Sequence, residues 1–354
     1  MTYTIHIITG LSGGGAEHLV LDLSKKAKAD HKEVLVVSIT GHNEIEHKFK
    51  TAGIHCAFLN IDSFSTLLNG IKQAKAILKP IKNKKVVHCH MFHALFIAVL
   101  VKLLGLFSLK IIFTLHNNSV DSILRRWLLF ITKPLRYMDI VFSEQGKKWY
   151  LKNNSTIVPN GIDLTKFTNT EQKIKEKPIL FKFMFLGSLT EQKNPLFVPE
   201  IVKKIIDQGY SNFKIFFIGH GPLKEQLSTK IKVLEVENYI ELLGFRDDVP
   251  ELLKIFHGQI MPSLWEGMPI SILESGSVGL PVITTAVGSI PDYLDNSTGY
   301  LSSLDNFHLA MIAVMEDYEL ATKKAEKFKK IVWQDFNIDV IYAKHQAVYA
   351  SCLA

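Results

Sequence analysis

Two glutamates with seven residues between them, Glu266 and Glu274, stand in the stretch of the chain best suited to chemistry, residues 261–290. The run from Met261 to Gly276 reads as a strand end, a polar loop and a helix, and residues 280–284 read as a further strand. Pro269 suits a first helical position, Ile270, Ile272 and Leu273 can face a sheet, and Gly276 and Gly279 punctuate the helix end. Glu266 then falls in the loop and Glu274 about one turn into the helix. Acids so placed lie at the carboxyl edge of a sheet, where open α/β folds bind ligands. Their spacing alone fits two solvated surface acids equally well.

Cationic and amide-rich loops are the second chemical signal. Residues 187–194 set Lys193 just before a helix with Pro195 among its first residues. The helix N-terminus contributes partial positive charge and the lysine a full one, so a diphosphate can be neutralised there without a metal ion. A solvated lysine at a helix start is the plainer alternative. Near the beginning, Gly10-Leu-Ser-Gly-Gly-Gly-Ala-Glu17 follows a strand and precedes a helix. It lacks the glycine spacing and second-strand acid of a dinucleotide fingerprint, and no Gly-Lys-Ser/Thr follows as a Walker loop requires. What remains is a run of backbone amides at a helix start, suited to a phosphate or a sugar hydroxyl, or simply a tight turn.

Histidines and cysteines do not add up to a metal centre. His88, Cys89, His90 and His93 crowd together, but residues 88 and 90 share one face of a strand while 89 points away. No second ligand pair follows at a finger-like spacing. Cys56, Cys89 and Cys352 are odd in number and far apart, so they form no disulfide framework and fit a reducing cytoplasm. Residues 3–8 alternate like a first strand rather than a secretory signal, so export is not expected.

Elements able to position these groups alternate along the whole chain. Strand-like runs at 3–8, 34–38, 55–59, 85–88, 110–115 and 139–142 are separated by helical segments, beginning with one at 18–29. After a polar connector at 168–178 a second series follows, with strands at 180–186, 213–218 and 239–243. This is the pattern of two doubly wound parallel sheets, and 354 residues suit two domains. The apolar segment 94–107 would reach only ~21 Å as a helix, short of a ~30 Å hydrocarbon core, and reads as a buried helix.

Charge is unevenly spread. The net value is +7, yet residues 1–167 hold 22 Lys and Arg against 11 Asp and Glu, while residues 168–354 hold 19 against 23. The basic half suits an anionic membrane or a polyanionic substrate, or is a lysine-rich surface. Nucleic acid is disfavoured because no aromatic stacking motif interleaves with the lysines. Residues 124–136 combine arginines with an apolar face, which is expected to pack on the core with the arginines outside; a membrane-resting helix is the alternative.

Taken in order, Gly13-Gly14-Gly15-Ala16-Glu17, Pro159-Asn160-Gly161-Ile162-Asp163, Gly187-Ser188-Leu189 with Lys193, Gly219-His220-Gly221-Pro222, Leu243-Gly244-Phe245, and Pro262-Ser263 through Glu266 to Glu274 resemble the retaining nucleotide-sugar glycosyltransferases of family four. The resemblance covers essentially the whole chain. It implies an α/β architecture of two Rossmann-like doubly wound domains facing across a cleft, the B-type glycosyltransferase fold. Residues 1–167 would form the acceptor-side domain, 168–178 the linker and 179–334 the nucleotide-sugar-binding domain. Residues 335–354 would be a final helix packed back on the first domain, overlapping an amphipathic segment that spans 333–349.

The same resemblance implies a retaining hexosyl-type transferase. A UDP- or GDP-sugar would be the donor and a lipid-linked or polysaccharide intermediate the acceptor, in cell-surface polysaccharide biosynthesis such as lipopolysaccharide or capsule. The enzyme would be cytoplasmic, peripheral on the inner membrane face, and would need no metal or other cofactor and no nucleic acid. Glu274 would accept ribose hydroxyls, and Glu266 hydroxyls of the donor sugar near its reacting carbon. The backbone of Gly267, Met268 and Pro269 would hold the diphosphate or sugar, Lys193 would neutralise the leaving diphosphate, and Phe245 would sit by the base. Gly14 and Gly15 would approach the donor across the cleft, and His116 would contact a sugar or acceptor hydroxyl. His90 or His93 would line the acceptor side. Glu266 and Glu274, ~12 Å apart if joined by continuous helix, do not match the roughly 5 to 9.5 Å separations of paired hydrolytic carboxyls, although a loop can close that gap.

One departure stands out. Where the family commonly has an arginine, this chain has Ser188, and losing a charge-assisted contact costs about 1.5–3 kcal/mol. Lys193 with helix dipoles, Arg246 or another cation would have to compensate, or activity is reduced. Two further readings therefore stay open, a nucleotide-sugar binding subunit with weak or no catalysis and a nucleotide-sugar epimerase.

Overall fold

The computed structural model describes residues 2–81, 84–106, 108–117, 120, 122–168 and 177–354. They divide into two units, Met1–Gly161 with Ile338–Ala354, and Ile162–Asn337.

In the first unit, β1 (Thr2–Ile8), β2 (Glu33–Ser38), β3 (His55–Phe58), β4 (Lys84–His90), β5 (Lys110–Thr114), β6 (Met138–Val141) and β7 (Thr156–Ile157) form one sheet in the order β3-β2-β1-β4-β5-β6-β7. Every pairing is parallel. Runs such as Val34-Leu-Val-Val37 read as continuous apolar sequence because both faces of such a sheet are covered. Alternation along β4 shows the two layers. Val87 and Cys89 pack into the core that includes helix Met91–Leu103, the buried helix expected from the apolar segment. Val86, on the other face, packs with Ile112, Ile140 and the C-terminal helix Ile338–Leu353 through Ile341, Val348 and Tyr349.

In the second unit, β8 (Phe181–Leu186), β9 (Phe213–Ile218), β10 (Ile240–Gly244), β11 (Gly258–Met261), β12 (Val282–Thr284) and β13 (Tyr300–Leu301) form a parallel sheet ordered β10-β9-β8-β11-β12-β13. Its core is phenylalanine-rich, with Phe181, Phe183, Phe185, Phe213 and Phe217 all buried. Strand order reverses beside β1 in one sheet and beside β8 in the other, the position at which doubly wound sheets open a ligand crevice.

Several boundaries differ from the sequence reading. The first unit ends at Gly161, earlier than 167, because Ile162 N–H donates to the Phe336 carbonyl at 2.9 Å and Ile162 bridges to Asn337. The expected linker lies outside the described residues except for Thr168, Lys177 and Pro178. The amphipathic segment 333–349 is two elements. Trp333 closes helix Tyr318–Asp335 and donates its indole N–H to the Ser277 carbonyl at 2.8 Å, whereas the separate helix Ile338–Leu353 belongs to the first unit. After Pro195 the chain makes a 3₁₀ turn, and the α-helix proper is Val198–Asp207.

Helix Ile123–Ile131 reverses the expectation of a core-packed apolar face. Only Leu129 is buried, while Ile123, Leu124, Trp127, Phe130 and Ile131 are exposed. Trp127 meets Trp149 edge-on at 5.3 Å, and Lys133 Nζ lies 4.8 Å from the Phe130 ring centre. Among the described residues no helix is long and apolar enough to cross a membrane.

Candidate active site

β11 is wholly buried and delivers the chain to the loop carrying Glu266. Side chains of the β12 end hold that loop open. Thr284 Oγ1 donates to the Met261 carbonyl at 3.1 Å and Thr285 Oγ1 to the Ser263 carbonyl at 2.6 Å. The Gly267 carbonyl accepts both the N–H (3.1 Å) and the hydroxyl (2.7 Å) of Ser289. Gly288 makes this crossing possible. Its φ is +65°, and a Cβ there would stand 2.3 Å from the Glu266 carbonyl oxygen. Pro269 is the residue preceding helix Ile270–Val278 rather than its first member, with an extended ψ of 119°. Having no N–H, it shapes the turn, so in the Gly267–Pro269 segment only Gly267 and Met268 carry amides able to donate.

Glu266 is buried and takes three donors. Lys193 Nζ lies 2.6 Å from Oε1, the Ser263 hydroxyl donates to Oε1 at 2.7 Å, and Gln192 Nε2 donates to Oε2 at 3.1 Å. The Lys193 and Glu266 side chains are 14% and 4% exposed. A desolvated ion pair of this kind persists because extra hydrogen bonds offset the cost of removing both charges from water. The β8 loop supplies the cation through a short 3₁₀ turn, Glu191–Lys193, closed by Asn194 in the left-handed region at φ 54°. The Leu264 N–H donates to the Gln192 carbonyl at 2.8 Å and ties the two loops together. Sequence reasoning gave Lys193 and Glu266 separate ligand partners; the fold joins them to each other. It also missed Gln192 and Ser263, whose signals were adjacency to Lys193 and a three-residue offset from Glu266.

The surrounding loops are packed backbone to backbone. A Cβ on Gly219 would lie 2.0 Å from the Gly187 carbonyl oxygen, and one on Gly221 would lie 2.5 Å from that of Leu189. Ser188, between these contacts, is exposed. Arg246, named as a substitute cation, forms a two-pronged pair with Asp248 at 2.8 and 2.5 Å. Phe245 is half exposed and meets His220 edge-on at 5.7 Å. Glu274 is half-buried on the helix that opens beside Glu266.

In the first unit, Gly14 caps helix Gly15–Ala29. The Glu17 carboxylate reaches back to the amides of Gly14 and of its own residue, so these helix-start donors already have an acid partner. Burial raises the Glu17 pKa in spite of those bonds.

His116, just after β5, is backed by a stack of imidazoles. Register places His6 of β1 beside His88 of β4, and strand periodicity puts His88 and His90 on one face, with ring centres 4.1 Å apart. His90 is therefore fully buried rather than lining an acceptor surface, and His93 is the exposed one. His6 Nδ1 bonds His90 Nε2 at 3.0 Å, and His90 Nδ1 bonds His116 Nε2 at 3.0 Å. His88 bonds the Tyr349 hydroxyl (2.8 Å) and Thr114 Oγ1 (2.7 Å). His345 of the C-terminal helix lies tilted against His88, with ring centres 5.5 Å apart. Burial lowers every one of these rings, His6 and His116 to about 4, His345 to about 3, and His88 and His90 well below 6.5. Nitrogens of His6, His88 and His90 lie within 4.8 Å of one another, as metal ligands would. Five of their six nitrogens already serve the hydrogen bonds above.

Two family profiles match the chain, Glycosyltransferase Family 4 over residues 13–166 and Glycosyl transferases group 1 over residues 166–331. The UDP-Gal:alpha-D-GlcNAc-diphosphoundecaprenol alpha-1,3-galactosyltransferase of Escherichia coli is 29% identical over 302 residues, 77% of each chain. The putative glycosyltransferase EpsF of Bacillus subtilis is 24% identical over 327 residues, 85% of this chain and 83% of that one. Among solved structures, Anabaena HepE in complex with UDP and glucose superposes with a TM-score of 0.83 at 17% identity, covering 99% of this chain and 100% of that one. Sucrose-phosphate synthase of Thermosynechococcus elongatus gives 0.85 at 16% identity over 99% of each. These likenesses establish a shared fold.

Proposed function

From the premise that the chain belongs to the family-four glycosyltransferases, glycosyl transferases group 1, we propose that it moves a hexose-type sugar from a nucleotide-sugar to a lipid-linked saccharide with retained anomeric configuration. The observation that carries this reading is the buried Glu266, held by Lys193, Gln192 and Ser263 at the carboxyl edge of β11, with Glu274 on the next helix. The E. coli relative uses UDP-galactose and a diphosphoundecaprenol-linked sugar, which makes UDP-sugars and diphospholipid acceptors the first pair to test. The product would enter cell-surface polysaccharide.

In this reading Glu274 accepts ribose hydroxyls and Glu266 a hydroxyl of the donor sugar. Phe245 lies by the base, the amides of Gly267 and Met268 hold the diphosphate or sugar, and Ser188 adds a neutral hydrogen bond. The bond from the anomeric carbon to the diphosphate breaks through an oxocarbenium-like state, and Lys193 offsets the charge that develops on the leaving oxygen. A carboxylate that already accepts from an ammonium, an amide and a hydroxyl is a poor nucleophile, so no covalent sugar adduct is assigned to Glu266. Retention then requires the acceptor oxygen to bond on the face the diphosphate leaves, and the departing phosphate oxygen takes its proton. His116 is assigned a hydroxyl of the sugar or acceptor, and Gly14 and Gly15 approach the donor. No metal or other cofactor enters the scheme, because Lys193 and the helix start carry the neutralising role.

Peripheral attachment to an anionic membrane belongs to the same reading. It rests on the exposed face of helix Ile123–Ile131 with Trp149, set in the basic half of the chain.

The test is donor binding followed by nucleotide release with UDP- and GDP-sugars, with and without a diphospholipid-linked saccharide. Glu274→Ala is expected to weaken donor affinity at least about tenfold, the scale of one lost charge-assisted contact; unchanged turnover in that variant would remove the assigned site. Tight binding with no turnover on any acceptor would favour the binding-subunit alternative that Ser188 motivates. Isomerised free nucleotide-sugar in the absence of acceptor would indicate an epimerase.

A further inference from the structure

We propose that His6 and His90 are positioning residues for His116, and that the three rings form a chain whose tautomers are locked together. The proton position on the outermost ring is then set from the buried end. This deepens the reading in which His116 meets a hydroxyl, and rests on it for its consequence in turnover.

The locking follows from counting protons. A neutral imidazole carries one N–H and one lone pair. If His6 Nδ1 donates to His90 Nε2, the His90 proton must be on Nδ1, where it donates to His116 Nε2 and leaves the His116 proton on Nδ1. If His116 Nε2 donates instead, each step reverses, and all three rings carry their protons on Nε2. Mixed patterns put two protons or two lone pairs into one 3.0 Å contact. Only two arrangements of the neutral chain survive, and they present opposite faces to a ligand. His116 Nδ1 is a donor in the first and an acceptor in the second.

Three observations favour a neutral, held chain. His6 and His90 are 2% and 0% exposed, so an added proton would be costly there. Burial depresses the basicity of all three rings, so neutral pH leaves them uncharged. The chain also passes straight from His90 into a helix through Met91, a non-glycine residue at φ +73°. Such a backbone is strained for a residue with a side chain and persists only where the surroundings impose it.

The experiment uses the full-length protein labelled with 15N-histidine and long-range proton–nitrogen correlation spectra near neutral pH. His116, His90 and His6 are assigned by loss of their signals in single variants such as His116→Gln. The expected result is three neutral rings with the proton on the same nitrogen type, all Nδ1 or all Nε2. Opposite tautomers, or an imidazolium in the chain, would overturn the proposal.

His6→Phe supplies the second arm, since residue 6 makes no hydrogen bond to His116. It should shift or mix the His116 tautomer and lower kcat about tenfold, with donor KM within about twofold. His6→Asn, which keeps a donor and an acceptor near the former Nδ1, should restore both. A folded His6→Phe protein with unchanged His116 nitrogen shifts and unchanged kcat refutes the coupling. If His6→Phe does not fold, the wild-type tautomer match and the His6→Asn spectrum still decide. Full turnover in His116→Gln would remove the role of His116 in transfer, whereas the tautomer match is read without any turnover.

Discussion

Acidification is expected to strip stability from the first unit as pH falls below about 6.5. His6, His88, His90 and His345 are each at most 2% exposed, and burial lowers all four. In the unfolded chain the same rings titrate near 6.5. Above that pH both states are neutral and stability is full. As pH falls through 6.5 the unfolded chain takes up protons that the folded unit refuses, so the folded state loses ground. The loss continues until the folded rings titrate, at about 4 for His6 and about 3 for His345. Each ring costs about 1.4 kcal/mol per pH unit below its unfolded pKa. At pH 5.5 the four together remove roughly 5–6 kcal/mol, on the scale of the whole 5–15 kcal/mol that typically holds a domain. The assay is urea unfolding followed by tryptophan fluorescence at closely spaced pH values, from which proton uptake on unfolding is read as a slope. His116 and, in the second unit, His257 are lowered to about 4 as well, so a slope of about four to six protons between pH 6 and 5 is expected. Neither ring nitrogen of His345 has a hydrogen-bond partner among the described residues. His345→Leu should therefore reduce that slope by about one proton without loss of stability at neutral pH. Stability that is flat from pH 7 to 5.5, or a slope indifferent to His345→Leu, would refute the argument.

Three further outcomes follow from the geometry. Lys193→Met leaves the buried Glu266 carboxylate without its cation and should cost about 3–5 kcal/mol of stability; adding Glu266→Gln should recover much of it, as a double-mutant cycle by denaturant unfolding would show. Gly288→Ala forces a Cβ against the Glu266 carbonyl at a positive φ; it should destabilise the second unit by about 1–3 kcal/mol and weaken donor binding, measured by melting and by titration calorimetry. Leu124→Glu with Trp127→Glu should reduce co-sedimentation with vesicles rich in anionic phospholipid while leaving the melting temperature within a few degrees, because both side chains are exposed.

What the sequence revealed was whatever local pattern encodes. Apolar runs gave most strands of both sheets to within two residues, and strand 213–218 to the residue, but not the two-residue edge strands Thr156–Ile157 and Tyr300–Leu301. The strand-loop-helix around Glu266 was readable because Pro269 precedes the helix and Gly279 closes it in the left-handed region, whereas Gly276, read as part of that end, lies within the helix. What escaped notice depends on contacts between distant residues. Nothing near His6 announces that it bonds His90, 84 positions away, or that Tyr349 caps His88 across 261 positions. Lys193 and Glu266 were each picked out, but their pairing is a property of two loops converging from β8 and β11. Helix Ile123–Ile131 was misread because amphipathic periodicity reports that an apolar face exists without saying whether protein covers it. The segment around Trp333 was read as one helix since its apolar spacing runs through Phe336-Asn337, where the backbone in fact breaks.

The helix Ile338–Leu353 also has a consequence for the order in which the protein is made. It lays Ile341, Val348 and Tyr349 over Val86, Ile112 and Ile140, so the unit begun first on the ribosome is the last to be finished. Until those residues emerge, after the entire second unit, the nascent sheet presents His88 without its tyrosine and an uncovered apolar face. Removing Val348 and Tyr349, or holding this helix away from the sheet, would therefore act on the interior of the amino-terminal half.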